Sequence, residues 1–333
     1  MIKRIEEIKE RCDKNRQVLM LVASYLNNFP SLVSCETIQA ITLGKKENEE
    51  KAFCSFLSNV FFEDEKMAKA YEREYFSKSI KELSPEEYLH NPFFENIKIP
   101  TMQNGGWSLG YQTYAPYEGF IYRDIQKEGD YIEIPQIGYF PCEFTYPTVY
   151  ENGVEWMAIK PNEIETMKEP IKKAEGSVLV YGLGIGYFAY MVSQKDEVRH
   201  VTVVERDQNA IALFKEYILP QFPNRDKIEI INADALEYAE KEMERHTYTY
   251  VFTDLWHDVS DGVDLYIRMK KFETKCRNTR FEYWIEDSIL SSIRWSIFDG
   301  IYNRVKSNSF QGTIEDIEMY LTDEYLKAFV KFI

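Results

Sequence analysis

The chain has 333 residues, which is enough for two domains or for one large domain with an added module. Apolar residues make up 44% and charged residues 29%, as in an ordinary soluble globular protein, so disordered, collagen-like and coiled-coil chains are excluded. With 40 basic and 55 acidic side chains the formal net charge is −15, which argues against nucleic acid and against an anionic membrane surface as partners.

The net negative charge is concentrated in the middle of the chain, where basic side chains are few. Residues 91–165 carry 4 basic and 11 acidic side chains, a net charge of −7, whereas residues 1–90 carry −2 and residues 166–333 carry −6. Such a surplus keeps a protein soluble, and it also attracts a cationic ligand. Both interpretations stay open at this point.

The cysteines and the N-terminus bear on the compartment. The five cysteines form no CxxC pair and their number is odd, which fits isolated thiols in a reducing compartment better than a disulfide framework or a zinc site. The first ten residues mix charges, unlike a signal peptide, and the uncharged residues Ser177 to Val192, which include three closely spaced glycines, do not predict a membrane span. We therefore expect a cytoplasmic protein.

Three segments are predicted in chain order. Residues 1–90 form a helical N-terminal region, because apolar side chains such as Val18, Val22 and Tyr25 recur at helical spacing. Residues 91–165 form a small β-rich module, in which Asn152-Gly153 before an alternating run predicts a hairpin. Residues 166–333 form a Rossmann-like domain with a helical C-terminal extension.

The third segment has the rhythm of an α/β fold. Short apolar strands alternate with helical patterns near residues 187–195, 207–219, 234–244 and 261–276, which predicts a doubly wound, mostly parallel sheet. Beyond residue 285 the pattern is helical again. The five predicted strands are Ser177–Tyr181, His200–Glu205, Lys227–Ile231, Tyr248–Thr253 and Arg280–Ile285.

The first of these strands runs directly into a glycine loop with Gly182, Gly184 and Gly186, and a helix follows. Glycines permit a tight turn and let a ligand approach the backbone, while the helix offers free N–H groups. A dinucleotide fingerprint has glycine or alanine where Tyr187 stands. The loop therefore favours S-adenosylmethionine (SAM) over a dinucleotide.

Two acidic residues follow the next two strands. Glu205 ends the second strand, where a carboxylate can accept hydrogen bonds from both ribose hydroxyls of an adenosine. Asp234 follows the third strand and can accept a hydrogen bond from an adenine amino group, with an ordinary helix N-cap as the alternative. Together with the glycine loop, these residues predict an adenosine site.

The loop after the fourth strand carries the candidate general bases Asp254, His257 and Asp258. Ligands in such sheets bind at the carboxyl ends of the strands near the switch point, and histidine titrates near neutrality. The alternative for His257 is an ordinary loop residue, and Asp261 is expected to cap the next helix. No spacing in the chain requires a metal ion.

At these residues the chain resembles the class I SAM-dependent methyltransferase superfamily, and within it the spermidine synthase-like branch. The resemblance covers about residues 150–285 and includes the Asn152-Gly153 hairpin, the helix start at Pro161–Glu165 and the glycine loop. It implies the following site: Gly182, Gly184 and Gly186 flank the methionine part of SAM, Glu205 binds ribose, Asp234 and Ala235 hold adenine, and Asp254 lies near the sulfonium and the acceptor.

The chain departs from spermidine synthases at several positions. Its glycine loop lacks the acidic residue of that branch, and Trp156 stands where the hairpin glutamine is expected. After Asp254, the branch's second acid is replaced by His257 or displaced to Asp258. The helical pattern after the fifth strand also replaces the usual antiparallel strand pair.

The sequence favours a SAM-dependent methyltransferase with a small-molecule acceptor, and the acidic middle segment favours an amine acceptor. One alternative is a spermidine synthase-like aminopropyltransferase that uses decarboxylated SAM. Another is a non-catalytic protein that binds SAM or adenosine as a scaffold. A homo-oligomer is compatible with each of these interpretations.

Overall fold

The computed structural model describes residues 1–43 and 48–333, so residues 44–47 of the predicted helical region lie outside the described residues. The chain divides into two units. The first comprises Met1–Tyr88, Thr113–Thr145 and Tyr302–Ile314, and the second comprises Leu89–Gln112, Tyr146–Ile301 and Glu315–Ile333. Residues 91–165 contribute to both units, whereas the sequence predicts them as one module. The three predicted segments stay a prediction.

Helices dominate both ends of the chain, and strands are concentrated between residues 80 and 283. The helices are α1 (Ile2–Asn28), α2 (Cys35–Thr42), α3 (Glu49–Phe61), α4 (Glu65–Tyr71), α5 (Ser77–Ser79), α6 (Pro85–Leu89), α7 (Pro92–Asn96), α8 (Pro161–Lys173), α9 (Tyr187–Ser193), α10 (Gln208–Leu213), α11 (Ala235–Lys241), α12 (Val259–Lys270), α13 (Glu286–Lys306), α14 (Ile314–Tyr320) and α15 (Asp323–Phe329). The strands are β1 (Ile80–Glu82), β2 (Met102–Asn104), β3 (Trp107–Tyr114), β4 (Phe120–Glu128), β5 (Ile132–Tyr139), β6 (Phe144–Glu151), β7 (Val154–Ala158), β8 (Gly176–Tyr181), β9 (Val198–Glu205), β10 (Ile228–Asn232), β11 (Tyr250–Thr253) and β12 (Arg280–Tyr283).

The first unit packs helices against a small sheet with the strand order β1-β5-β4. Its core includes Phe53 of α3, which stacks on Tyr139 of β5 with ring centroids 4.5 Å apart. Strand β1 pairs in parallel with β5, with Ile80 opposite Ile137. The helical prediction for residues 1–90 is wrong at β1, because three residues are too few to show a period of two.

The second unit contains a five-stranded parallel sheet in the order β10-β9-β8-β11-β12. The chain order reverses between β8 and β11, which is the switch point of a doubly wound fold. The five predicted strands are confirmed, with ends within two residues of the expected positions. Phe188 of α9 stacks on Phe252 of β11 with centroids 4.1 Å apart and joins a helix to the sheet.

A second, antiparallel sheet has the order β2-β3-β6-β7. The predicted hairpin joins β6 to β7, and Asn152 and Gly153 adopt positive φ angles of 51° and 81° there. Asparagine and glycine tolerate this left-handed backbone, which is why the pair predicts the turn.

After β12 the described chain is helical through α13, α14 and α15, as predicted, without an antiparallel strand pair. The buried Lys270 of α12 lies 2.7 Å from Glu273 and 3.2 Å from Glu286, measured between ammonium nitrogen and carboxylate oxygens. Lys327 of α15 also binds Glu286, at 2.7 Å. The last helix is thereby held by an ionic network instead of by strand pairing.

Among the described residues, no helix has both the length and the apolar character needed to cross a membrane.

Candidate active site

The glycine loop is held tightly against the end of β11. Gly182, Gly184 and Gly186 have φ angles of 97°, 52° and 79°, which L side chains rarely adopt. A Cβ at position 182 would lie 2.0 Å from the carbonyl oxygen of Asp254, so no larger residue fits there. The switch point therefore brings the loop and the candidate base together.

Three backbone amides of the loop are already hydrogen-bonded within the chain. The N–H of Leu183 donates to Glu205 Oε2 at 3.1 Å, and the N–H of Ile185 donates to Met157 Sδ at 3.2 Å. The N–H of Gly186 donates to the carbonyl of Leu183 at 2.8 Å. A phosphate site needs such groups aimed at the anion. The preference of the loop for SAM over a dinucleotide stays a prediction.

Glu205, the residue predicted to bind ribose, lies at the end of β9. Its side chain is half-buried, and Oε1 accepts a hydrogen bond from the N–H of Asp207 at 2.8 Å. Together with the bond from Leu183, this contact fixes the carboxylate beside the glycine loop. Its role in binding ribose stays a prediction.

Asp234 is the N-cap of α11, as its alternative interpretation proposed. Its exposed carboxylate accepts a hydrogen bond from the N–H of Glu237 at 3.0 Å, and Ala235 is buried at the first helical position. Neither residue lines the two described cavities beside the glycine loop. Their role in holding adenine also stays a prediction.

Two cavities border the glycine loop. The first, of about 270 Å³, is lined by Gly182, Leu183, Met157 and Asp254 together with apolar side chains. The second, of about 340 Å³, is lined by Gly184 and Glu205 and by apolar side chains that include Trp107, Leu109, Val149, Trp156 and Phe214. Asp254, the predicted base, and Glu205, the residue predicted to bind ribose, thus line different cavities beside the same loop.

Asp254 and Glu163 form a pair of carboxyl groups near the first cavity. Burial raises the pKa of Asp254 to about 7. Burial first, and then the charge of Asp254, raise the pKa of Glu163 well above its usual range, while Lys160 acts in the opposite direction. Glu163 Oε2 is buried without a hydrogen-bond partner. A pair of this kind is costly to ionise unless a cation lies beside it.

His257 and Asp258 belong to the start of α12. His257 is exposed, with its N–H and its ring Nδ1 near the carboxylate of Asp261 at 3.1 and 3.2 Å. Its ring packs edge-on against Trp156, with centroids 4.7 Å apart. Asp261 caps α12 as predicted, as the third helical residue of a capping box: Asp258 is the N-cap and accepts from the N–H of Ser260 at 2.6 Å, and Asp261 accepts from the N–H of Asp258 at 3.0 Å. Of the three candidate bases, Asp254 lines a described cavity and the other two do not.

The sequence identified neither the partnership of Glu163 with Asp254 nor the position of Met157. In the sequence Glu163 is recognisable only as part of the predicted helix start at residues 161–165. Its neighbour Asp254 lies about 90 residues further along the chain, at the end of a strand. No spacing connects such residues before the sheet order is known. Met157 belongs to an ordinary strand pattern, which gives no signal for its contact with the glycine loop.

The parallel sheet with its glycine loop at the switch point defines a class I SAM-methyltransferase-like fold. Within that class, residues 140–292 match the family model described as "Spermine/spermidine synthase domain". This match confirms the spermidine synthase-like resemblance for that part of the chain. No curated protein sequence matches the chain.

Solved structures with partial similarity include spermidine synthase from Thermotoga maritima, with 15% identity over 44% of this chain and 55% of that one, at a TM-score of 0.33. A spermidine synthase in complex with the transition state analogue AdoDATO has 18% identity over 41% and 50%, at a TM-score of 0.34. Precorrin 8w decarboxylase from Methanobacterium thermoautotrophicum has 18% identity over 33% and 54%, at 0.25. The aligned part spans about half the length of each of these proteins.

Proposed function

We propose that this chain is a class I transferase that moves an aminopropyl group from decarboxylated SAM to an amine. The observation that carries the proposal is the pair of carboxyl groups of Glu163 and Asp254, of which Asp254 lies against Gly182, the first glycine of the loop. Two poorly solvated carboxyl groups favour a ligand that brings positive charge, because a cation lowers the cost of ionising both. An ammonium group and a sulfonium group both meet that requirement.

The charges around the loop support the decarboxylated donor over SAM itself. SAM carries an additional carboxylate, which needs a cation or free N–H groups beside it. Of the described residues that line the two cavities, none is lysine or arginine, and Glu205 and Asp254 are both acidic. Lys160 acts on Glu163 but is already in an ion pair with Glu155. Methyl transfer from SAM is therefore the less favoured reaction.

Glu163 also offsets a departure of the sequence from spermidine synthases. The glycine loop has Ile185 between its last two glycines and no acidic residue. In this chain a carboxylate close to Asp254 comes from the first turn of α8 instead. We infer that Glu163 holds an ammonium group of one substrate there.

The reaction requires alignment and one proton acceptor. The amine nitrogen attacks the propyl carbon bound to the sulfonium, a C–N bond forms as the C–S bond breaks, and methylthioadenosine leaves. Asp254 accepts the proton that the amine releases, and a carboxyl group with a raised pKa is suited to that role. The cavity walls hold the reactants in line and exclude water.

The test uses the full chain with decarboxylated SAM and a panel of diamines and polyamines, and it measures methylthioadenosine by chromatography. Asp254→Asn and Glu163→Gln keep the shape of each side chain but remove its charge, and we expect each to reduce kcat/KM at least about 100-fold. Glu169→Gln removes a charge from the exposed side of the same helix α8 and is the matched control. Equal activity in all four proteins would contradict the proposed site.

A further inference from the structure

Strand β7 places two neighbouring side chains in the two cavities beside the glycine loop. Successive side chains on a strand point to opposite faces. Met157 lines the first cavity together with Asp254, and Trp156 lines the second cavity together with Glu205. Asp254, which is predicted to lie near the sulfonium, and Glu205, which is predicted to bind ribose, therefore lie on opposite sides of the point where β7 contacts the loop.

The Met157 side chain lies directly on the glycine loop. Its sulfur accepts the N–H of Ile185 at 3.2 Å and lies 1.9 Å from the place that a Cβ on Gly184 would take. The absence of a side chain at Gly184 is what makes room for this thioether. Methionine is unbranched and has several rotatable bonds, so the contact can open without a backbone change.

A single ligand that reaches both Glu205 and Asp254 must pass the loop at Gly184 and Ile185. The first cavity has a volume of about 270 Å³ and the second of about 340 Å³. The Met157 side chain occupies the point at which they would join.

We propose that Met157 determines donor affinity by occupying the place on the glycine loop where the sulfur end of an adenosyl donor binds. The donor displaces the Met157 thioether from the N–H of Ile185 and then contacts the loop backbone at that position itself. This inference rests on the proposed function only in assuming that the ligand is an adenosyl thioether or sulfonium. Because binding requires the displaced state, the apparent Kd rises as the fraction of displaced protein falls.

The test measures the binding of 5′-methylthioadenosine by calorimetry to the full chain and to three variants. Met157→Ala removes the thioether, and we expect binding about tenfold tighter than in the unaltered protein. Met157→Leu keeps the volume but loses the sulfur that accepts the N–H of Ile185, and we expect a smaller gain. Met167→Ala enlarges the same cavity from α8 and leaves the loop contact in place, so no gain is expected.

Binding that is equal or weaker in Met157→Ala, with an unfolding temperature like that of the unaltered protein, would overturn the inference. An equal gain in Met167→Ala would also overturn it, because enlargement alone would then explain the result. The experiment involves no turnover. Tighter binding by Met157→Ala, together with no aminopropyl transfer by the unaltered protein, would therefore support the role of Met157 and refute the proposed function. Aminopropyl transfer by the unaltered protein, together with unchanged affinity in Met157→Ala, would support the proposed function and refute the role of Met157.

Discussion

The carbonyl oxygen of Asp254 lies 2.0 Å from the position that a Cβ on Gly182 would occupy. The end of the fourth strand of the parallel sheet and the first glycine of the loop are thus in direct backbone contact. Because the side chain of Asp254 is the candidate base, this contact also sets the distance between the base and the loop.

Gly182→Ala is expected to damage both stability and binding. The φ angle of 97° is unfavourable for alanine, and the new methyl group would collide with the backbone of Asp254. We expect a loss of more than about 3 kcal/mol in the free energy of unfolding, together with loss of methylthioadenosine binding. Denaturant unfolding and calorimetry measure the two effects. Gly300→Ala in α13, where the new Cβ meets no atom within 4 Å, is the control and should be neutral or slightly stabilising. Similar effects of the two substitutions would contradict this account.

The raised pKa of Asp254 predicts a dependence of stability on pH. Since the folded-state pKa of about 7 lies above the ordinary value of about 3.9, this group favours the folded protein fully below about pH 4. That contribution is lost as the pH rises through 7. Asp254→Asn should therefore be more stable than the unaltered protein at about pH 8, by roughly 1–2 kcal/mol after allowance for solvent screening, while its turnover is lost. If the unfolding free energies of the two proteins changed with pH in the same way, the pKa of Asp254 would be the same in the folded and unfolded states, which would contradict this prediction.

The two hydrogen bonds of Glu205 predict that its substitution affects the loop as well as the ligand. Glu205→Ala leaves the N–H groups of Leu183 and Asp207 without their acceptors. We expect methylthioadenosine binding to be abolished in calorimetry and stability to fall by about 1–3 kcal/mol. Glu205→Gln keeps one acceptor oxygen, so it should retain more of the stability than of the binding. Unchanged affinity in Glu205→Ala would remove Glu205 from the site.

The ionic network at the C-terminal extension gives a prediction about stability alone. Lys270→Met removes the buried cation that Glu273 and Glu286 share, but the two carboxylates keep Lys331 and Lys327 as partners, so we expect a cost of about 1–3 kcal/mol. Lys241→Met breaks an exposed pair with Glu237 and should cost less than about 1 kcal/mol. Chemical denaturation compares the two variants, and similar costs would show that the buried network does not hold the extension.

The parallel sheet of the second unit was largely predictable, because each of its strands is a short run that is followed by a glycine or an acid within three residues. The Gly182 loop and Glu205 are signals of that kind, and both were found from local spacing. The helices after Ile285 were predictable because apolar side chains such as Ile289, Ile293 and Ile297 recur at helical spacing. Strand β1 was not predicted, because a strand of three residues is too short to show an alternating pattern and the residues around it have helical spacing.

The candidate site was only partly predictable, because its main features depend on contacts between distant parts of the chain. Asp254 could be found at a strand end, but its neighbour Glu163 could not be paired with it before the fold was known. Asp258 has the residue type of a base and serves as a helix cap. The contact between Met157 and Ile185 depends on where β7 crosses the loop, which no local pattern encodes.

The most direct test of the account is a comparison of donors with the unaltered full chain. Decarboxylated SAM and SAM are supplied separately with the same mixture of diamines and polyamines, and methylthioadenosine and S-adenosylhomocysteine are quantified. We expect methylthioadenosine and an aminopropylated amine from decarboxylated SAM, with little S-adenosylhomocysteine from SAM. Methylated amine and S-adenosylhomocysteine from SAM, with no product from decarboxylated SAM, would contradict it.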